Sequence, residues 1–333
     1  MLSTSHLVTI IVPFFNSERF MKETLDTVRA QSYRHFECLM IDDGSSDTSA
    51  EIAQDFQRRD PRFRYIYDEH KPRGVSASRN MGMQLANGAW VMFLDSDDLL
   101  EIDTLARRVE IMLRNPDLQM SVFQVQAFGF ESFTFTSEMD DYLRAFIEFD
   151  FQFQTSSVFW EIEFARSVGT FRTDMTNLED PEFHMRALAL KPKMVVLPYT
   201  DPDVRYRVWK YRSAALSDAL VSELRCYQKY IESAIKVANE CGYETRSIRN
   251  GLQLMIMRTR WAYNSEIRGI LGRSIEISGE HGVISASSMH RLMTLLNRVS
   301  TSNPHPVLEL MAFLVHPLAH IKAYLHTIKQ RFS

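Results

Sequence analysis

The chain has 333 residues, 45% of them hydrophobic and 24% charged, with a formal net charge of -4. That balance is ordinary for a soluble globular protein of two domains, or of one domain with an appendage, and it points to no nucleic-acid partner. Cys38, Cys226 and Cys241 show no paired metal-ligand spacing, which favours a reducing compartment over a disulfide scaffold. The N-terminus shows neither a basic flank nor a small-residue cleavage site, so no leader is expected. Its first apolar run is too short to span a membrane, and no other uninterrupted run reaches that length. The expected location is cytoplasmic.

Charge is unevenly spread. Residues 212–333 carry 15 of the 38 Lys and Arg but only 9 of the 42 Asp and Glu, so this stretch stands at +6 and the remainder at -10. Before it, short apolar runs alternate with turn residues; within it, helix formers dominate. A boundary near 211 is expected, between a unit over 1–211 and a helical region over 212–333.

In chain order, Leu7 to Phe15 is a near-continuous apolar run, as a parallel strand covered on both faces requires. Asn16 or Ser17 is placed to cap a helix that carries Phe20, Leu25 and Val28 on one side. Phe36 to Ile41 predicts a second strand, ended by Asp42, Asp43 and Gly44. Ser45 or Ser46 then caps a helix through about Arg58. Phe63 to Tyr67 predicts a third strand. Gly74 opens a helix holding Val75, Met81 and Leu85, and Asn87-Gly88 closes it by C-terminal turn chemistry. Trp90 to Leu94 predicts a fourth strand. This alternation predicts an α/β fold with a mostly parallel, doubly wound sheet, in which ligands bind at the carboxyl ends of strands. Polar signals mark such ends at Pro13 to Asn16, Asp42 to Ser46 and Asp95 to Asp98.

The last of these is the most telling. An apolar run stops abruptly in Asp95, Ser96, Asp97 and Asp98. Like charges this close repel unless a cation sits among them, and hard oxygen ligands at a strand end suit Mg2+ or Mn2+ holding a phosphate. A solvated acidic turn or helix N-cap is the plainer reading.

The segments VTIIVPFFNSERF, ECLMIDDGSSDTS, RGVSASRNMGMQLANGAWVMFLDSDD and NLEDPEFHMRAL, in that order, resemble the family 2 glycosyltransferases of GT-A fold. The resemblance covers roughly residues 7–210. It implies a nucleotide-diphosphate sugar donor, a divalent metal and inversion at the anomeric carbon. Carried over, Pro13 and Phe15 end the strand where the nucleotide lies, and Asp43 matches the carboxylate that recognises the base, with uridine the natural choice. Arg79 and Asn80 match an Arg-Asn pair, and the guanidinium is expected to meet diphosphate oxygens. Asp97 is the expected metal ligand, Asp95 is expected near the ribose, and Asp98 is open to either role. Asp180, beside Glu179, matches the general base that activates the acceptor hydroxyl. Without the resemblance, Asp42-Asp43-Gly44 reads as a capped turn, Arg79 as a solvated side chain, and Glu179-Asp180-Pro181 as a helix N-terminus.

Some features depart from the family pattern. Tyr206-Arg207-Val208 is followed by Trp209 where many relatives carry a His, which puts a further metal ligand in doubt. Phe133 to Phe159 is dense in aromatics, as core packing or as an acceptor wall. Thr155-Ser156-Ser157 resembles an acceptor-proximal segment. Residues 213–241, 244–273, 284–300 and 305–331 read as helices, with Pro304, Pro306 and Pro317 interrupting the last region. Its apolar residues with Lys322, Lys329 and Arg331 suit either an anionic membrane face, at the inner side of the plasma membrane, or packing.

The expected activity is inverting, metal-dependent transfer from a UDP-sugar to a hydroxyl of a saccharide or lipid-linked acceptor, as in surface polysaccharide synthesis. A nucleotidyltransferase would carry a Gly-rich, basic loop after the first strand, which PFFNSERF lacks. A catalytically inactive sugar-nucleotide-binding scaffold is opposed by Asp95, Asp97 and Asp180.

Overall fold

The computed structural model describes residues 6–70, 73–130, 132–135, 138–208, 216–252 and 265–298. The chain divides into two compact units, residues 1–213 and 214–333.

In the first unit, β1 (Val8–Phe14), β2 (Phe36–Asp42), β3 (Phe63–Tyr67) and β4 (Trp90–Phe93) form where the apolar runs predict them. They alternate with α1 (Met21–Arg29), α2 (Ser49–Arg59) and α3 (Val75–Leu85). With β6 (Met120–Phe123), β9 (Val158–Glu161) and β10 (Met194–Leu197) they make a seven-stranded sheet in the order β10-β6-β9-β4-β1-β2-β3. Every pair is parallel except those made by β9. Helices cover both faces, so every residue of β1 and β2 is buried. Val8, Ile10, Val12 and Phe14 share one core with Met21, Leu25 and Val28 of α1 and with Leu105, Val109 and Met112 of α4 (Thr104–Arg114). Each such side chain contributes about 1.5–3 kcal/mol by leaving water. On the other face Ile11 meets α3 at Gly82.

Register opens the crevice. β2 follows β1 as far as Phe14 opposite Asp42, whereas β4 stops opposite Ile11 at Phe93. Strand order also reverses between β1 and β4, the place where doubly wound sheets bind ligands. The carbonyl of Ile11 accepts from Leu94 N–H at 3.0 Å. Pro13, two residues on, faces the same flank after β4 has ended, so its missing N–H leaves no gap in the ladder.

A second sheet, in the order β5-β11-β7-β8, is built from β5 (Leu99–Leu100), β11 (Val204–Val208), β7 (Val125–Gly129) and β8 (Thr134–Phe135). The chain passes from the first sheet to the second across Gln124, between β6 and β7. Pairing of Arg205 with Leu99 sets β11 beside the segment that follows the acidic turn.

Three local expectations are corrected. Neither Asn16 nor Ser17 caps α1, and neither Ser45 nor Ser46 caps α2: the N-caps are Phe20 and Thr48, without side-chain cap bonds. Asn16 and Ser45 instead bond to each other's loops. Asn87-Gly88 does not end α3 by a left-handed turn, because the helix stops at Leu85 with Ala86 extended. Gly88 is needed because a Cβ there would stand 2.6 Å from the backbone nitrogen of Thr9. Of the aromatic stretch, Phe146, Phe153 and Phe159 are buried, while Phe133 is exposed.

In the second unit α8 spans Leu216–Cys241, a short 3-10 turn spans Thr245–Ile248, and α9 (Ser265–Glu280) continues past the expected end near 273. The following helix, α10, spans Ala286–Arg298. Trp209 and the segment 305–331 lie outside the described residues. No described helix is long and apolar enough to cross a membrane.

Candidate active site

Hydrogen bonds between loops join the three polar strand ends into one rim. Asn16, at φ 48°, accepts from Ser46 N–H at 2.8 Å and donates its own N–H to Ser45 Oγ at 3.1 Å. Ser17 and Ser96 hydroxyls lie 2.8 Å apart, and Thr24 donates to the Ser96 carbonyl at 3.0 Å. Pro13 is buried in this rim and Phe15 stands out of it, 57% exposed.

The neighbouring carboxylates of β2's end have different fates, because successive side chains of a strand point to opposite faces. Asp42 is buried and accepts from Gly44 N–H, Ser45 N–H and Tyr65 Oη at 3.0, 2.8 and 3.0 Å. It holds the turn together. Asp43 is partly exposed and accepts from Gly74 N–H at 2.8 and 3.0 Å, tying the start of α3 to the rim.

Arg79 departs from expectation. Its side chain is 3% exposed, and its terminal nitrogens are engaged by carboxylates: Nη2 by Asp95 and Nη1 by Glu179, each at 2.9 Å. Asp95 is 31% exposed beyond that contact. Burial alone would weaken the guanidinium's hold on its proton, but Asp95, Glu179 and Asp180 together strengthen it. Asn80 exchanges two hydrogen bonds with the backbone of Phe171, at 2.8 and 2.9 Å, so the Arg-Asn pair fixes α3 to the segment that leads into α7 (Glu179–Ala189).

α7 begins abruptly. Leu178 is left-handed at φ 63°, which turns the chain and places Glu179 and Asp180 in the first helical turn, where the helix dipole favours negative charge. Asp180 Oδ2 accepts from Thr155 Oγ1 at 2.5 Å. Burial, then Glu179, pushes the Asp180 carboxyl up to about 7, against the opposing pull of Arg79 and Thr155. One turn on, buried His184 packs between Trp160, Phe146 and Phe153 and is pushed down to about 3 by burial, so it is neutral.

The acidic turn is closed by β11. Arg207 donates its N–H to Asp98 Oδ1 at 2.9 Å and its Nε to the Asp97 carbonyl at 2.8 Å. Asp98 is fully buried, its Oδ2 has no hydrogen-bond partner among the described residues, and burial followed by Asp95 raises its carboxyl well above the usual range. Asp97 is partly exposed at the tip. Burial, then the negative charges of Asp98, Asp95, Asp180 and Asp97, pushes the Tyr206 hydroxyl up. Among the described residues no cluster of three or more His, Cys, Asp or Glu is placed to hold a metal ion on protein ligands alone.

The first unit thus brings Asp95, Arg79, Glu179 and Asp180 into one connected group, with Asp97 and Asp98 on the adjoining turn. Pro13, Phe15 and Asp43 line the rim across the crevice mouth. Sequence reasoning missed the Arg79–Glu179 pair and the approach of Tyr206, which depend on partners far along the chain. The Thr155–Asp180 bond had a faint signal in the Thr-Ser-Ser segment.

Residues 9–169 match the family model described as Glycosyl transferase family 2, and this segment is a domain of that family. The chain is 34% identical over 109 residues to the glycosyltransferase GlyG of Streptococcus pneumoniae serotype 4, across 32% of this chain and 36% of that protein. It is 38% identical over 105 residues to GlyA of the same organism, across 31% and 15%. The chain therefore spans well under two thirds of either relative. Among solved structures it is similar to S. aureus TarS in complex with UDP-GlcNAc, with TM-score 0.65 and 16% identity, over 92% of this chain and 90% of that one. It is also similar to the mannosyltransferase PcManGT of Pyrobaculum calidifontis in complex with GDP-Man and Mn2+, with TM-score 0.51 and 15% identity, over 92% and 85%. At these identities the likeness is one of fold, and the fold is GT-A.

Proposed function

We propose that this chain, carrying a family 2 glycosyltransferase domain, is an inverting glycosyltransferase that moves a sugar from a UDP-sugar to a hydroxyl of a saccharide or lipid-linked acceptor in surface polysaccharide synthesis. The observation that carries the reading is the continuous link from the acidic turn to the helix bearing Asp180, through Asp95, Arg79 and Glu179. It joins a place for a diphosphate to a place for a base, as glycosyl transfer requires.

In this reading the uracil stacks on Phe15 beside Pro13, and Asp43 accepts from a uracil N–H. Asp95 reaches the ribose. Arg79, engaged by two carboxylates, is a positioning residue rather than a phosphate ligand. The hard oxygen donors of the acidic turn, and the buried oxygen of Asp98 that has no hydrogen-bond partner among the described residues, fit a divalent cation such as Mg2+ or Mn2+, which Asp97 would hold. Such a cation, when bound, stabilises the charge that builds on the departing diphosphate. Asp180 takes the proton of the acceptor hydroxyl as its oxygen attacks the anomeric carbon opposite the leaving group, which inverts that centre. TarS with UDP-GlcNAc and PcManGT with GDP-Man and Mn2+ support a nucleotide-sugar donor and a metal. Among the described residues Cys38, Cys226 and Cys241 form no disulfide, which suits a cytoplasmic setting.

The test is a panel of UDP- and GDP-sugars with Mn2+, read first by thermal stabilisation and then by release of the nucleoside diphosphate when saccharide acceptors are added. A bound donor raises stability in proportion to the logarithm of its concentration over its dissociation constant. Stabilisation and turnover with a UDP-sugar are expected. A panel in which no nucleotide sugar shifts the melting temperature would overturn the reading.

A further inference from the structure

Residues 154–157 form a closed turn beside the start of α7. The Gln154 side chain accepts from Ser156 N–H at 2.6 Å. Ser157 Oγ donates to the Gln154 carbonyl at 2.6 Å and accepts from its N–H at 3.1 Å. Gln154, Thr155, Ser156 and Ser157 are all buried. The turn is pinned from behind by an ion pair. Arg108 of α4 is 0% exposed; its Nε and Nη2 each lie 2.7 Å from the Asp203 carboxylate, and its Nη1 donates to the Ser156 carbonyl at 2.9 Å. A buried ion pair adds little net stability compared with apolar side chains of the same volume. Its geometry does fix where the turn sits. The side chain that the turn presents to α7 is Thr155, whose Oγ1 donates to Asp180 Oδ2 at 2.5 Å.

We propose that Thr155 is the positioning residue of the base: its hydroxyl holds Asp180 Oδ2, so that Oδ1 is the atom that takes the acceptor's proton. This rests on the reading of Asp180 as base. In the step, the acceptor O–H bond breaks and its proton goes to Oδ1. The acceptor oxygen bonds to the anomeric carbon, and the bond from that carbon to the diphosphate breaks, its electron pair leaving on the diphosphate oxygen. A hydroxyl donates a stronger hydrogen bond to the ionised carboxylate than to the neutral acid, so Thr155 also favours the form that can act. It works with Arg79 of α3 against burial, Glu179 on the same helix and Asp95 from the acidic turn. Tyr206 of β11 is within electrostatic reach of the same carboxylate.

Thr155→Val keeps the shape and removes the donor, while Thr155→Ser keeps it. The measurement is kcat/KM against pH, read as UDP release from the UDP-sugar that stabilises the protein, with its acceptor. Loss of a charge-assisted hydrogen bond, worth about 1.5–3 kcal/mol, should move the acidic limb of the Val variant upward by about one pH unit or more. The Ser variant should return it, and UDP affinity should be unchanged in both. An unmoved limb, or a uniform loss at every pH that Ser does not rescue, overturns the inference. Thr155→Ala gives the same readout if the Val variant does not fold. Asp180→Asn separates the two readings. If it abolishes the limb while Thr155→Val leaves it in place, the base stands and Thr155 has no part in it. If Asp180→Asn keeps the wild-type profile, the base reading itself is wrong.

Discussion

Asp180 stands between opposing influences: burial and Glu179 raise its proton affinity, Arg79 and Thr155 lower it, and the raising influences prevail, leaving a carboxyl near 7. A general base works best with a value close to the pH at which it operates. Asp180→Asn keeps the shape but cannot take a proton, so transfer should fall by about 10²–10⁴. UDP affinity by calorimetry should stay near wild type, because the nucleotide rim lies on β1 and β2. A variant that transfers at close to the wild-type rate would move the base to Glu179. Asp97→Asn should give the reverse pattern, with Mn2+-dependent UDP binding weakened and the fold intact, since a charge is lost at equal volume. Equal metal-dependent binding by mutant and wild type would remove Asp97 from the site.

The contact of α3 with β1 decides between two effects of known size. Alanine is a better helix former than glycine by about 0.8–1.0 kcal/mol, so Gly82→Ala in mid-helix would by propensity alone stabilise. A Cβ there would stand 2.4 Å from Ile11 Cγ2, and Ile11 is a fully buried, β-branched side chain of a central strand with little room to turn. Overpacking a core costs about 1–3 kcal/mol, so the substitution should lower the denaturation midpoint. Ile11→Ala in the same chain should make Gly82→Ala less harmful, and a stabilising single substitution would refute the packing argument. The same elements show why part of this fold can be read in advance. β1, β2 and β4 are covered on both faces, so they are short near-continuous apolar runs bounded by turn residues, the pattern of a buried strand. The second sheet leaves no such trace, because β7 is half-buried and β5 is two residues long. The site divides in the same way. Asp95, Asp97 and Asp180 stand out as acids at element ends, while the role of Arg79 is fixed by Glu179, 100 residues further on. Arg108 carries a signal of its own: an arginine on the same face of α4 as Leu105, Val109 and Met112 must find a buried partner.

For the first unit as a whole, gathering these acids has a cost in stability that depends on pH. Asp180 has a native value of about 7 against an ordinary carboxyl value of 3.8, so the folded state binds its proton more tightly than the unfolded state does. Between those values the native state holds that proton and the unfolded state does not. The slope of unfolding free energy against pH is therefore negative for this group. Its destabilising effect is absent below about pH 4, grows as pH rises towards 7, and is constant above. Asp47 and Asp60, whose hydrogen bonds lower their values, act in the opposite sense, but they are common to wild type and mutant and cancel in a comparison. Asp180→Asn removes the titration, so the difference in melting temperature between mutant and wild type isolates this one group. The mutant should melt with the wild type near pH 4 and above it at pH 8. Roughly 2–4 °C is expected for each kcal/mol in a domain of this size. A difference that does not change with pH, or a mutant that becomes the less stable protein as pH rises, would mean that Asp180 is not held protonated by its surroundings. A gain in stability together with loss of transfer is the expected result, because the burial that destabilises the ionised carboxylate is also what makes it a base.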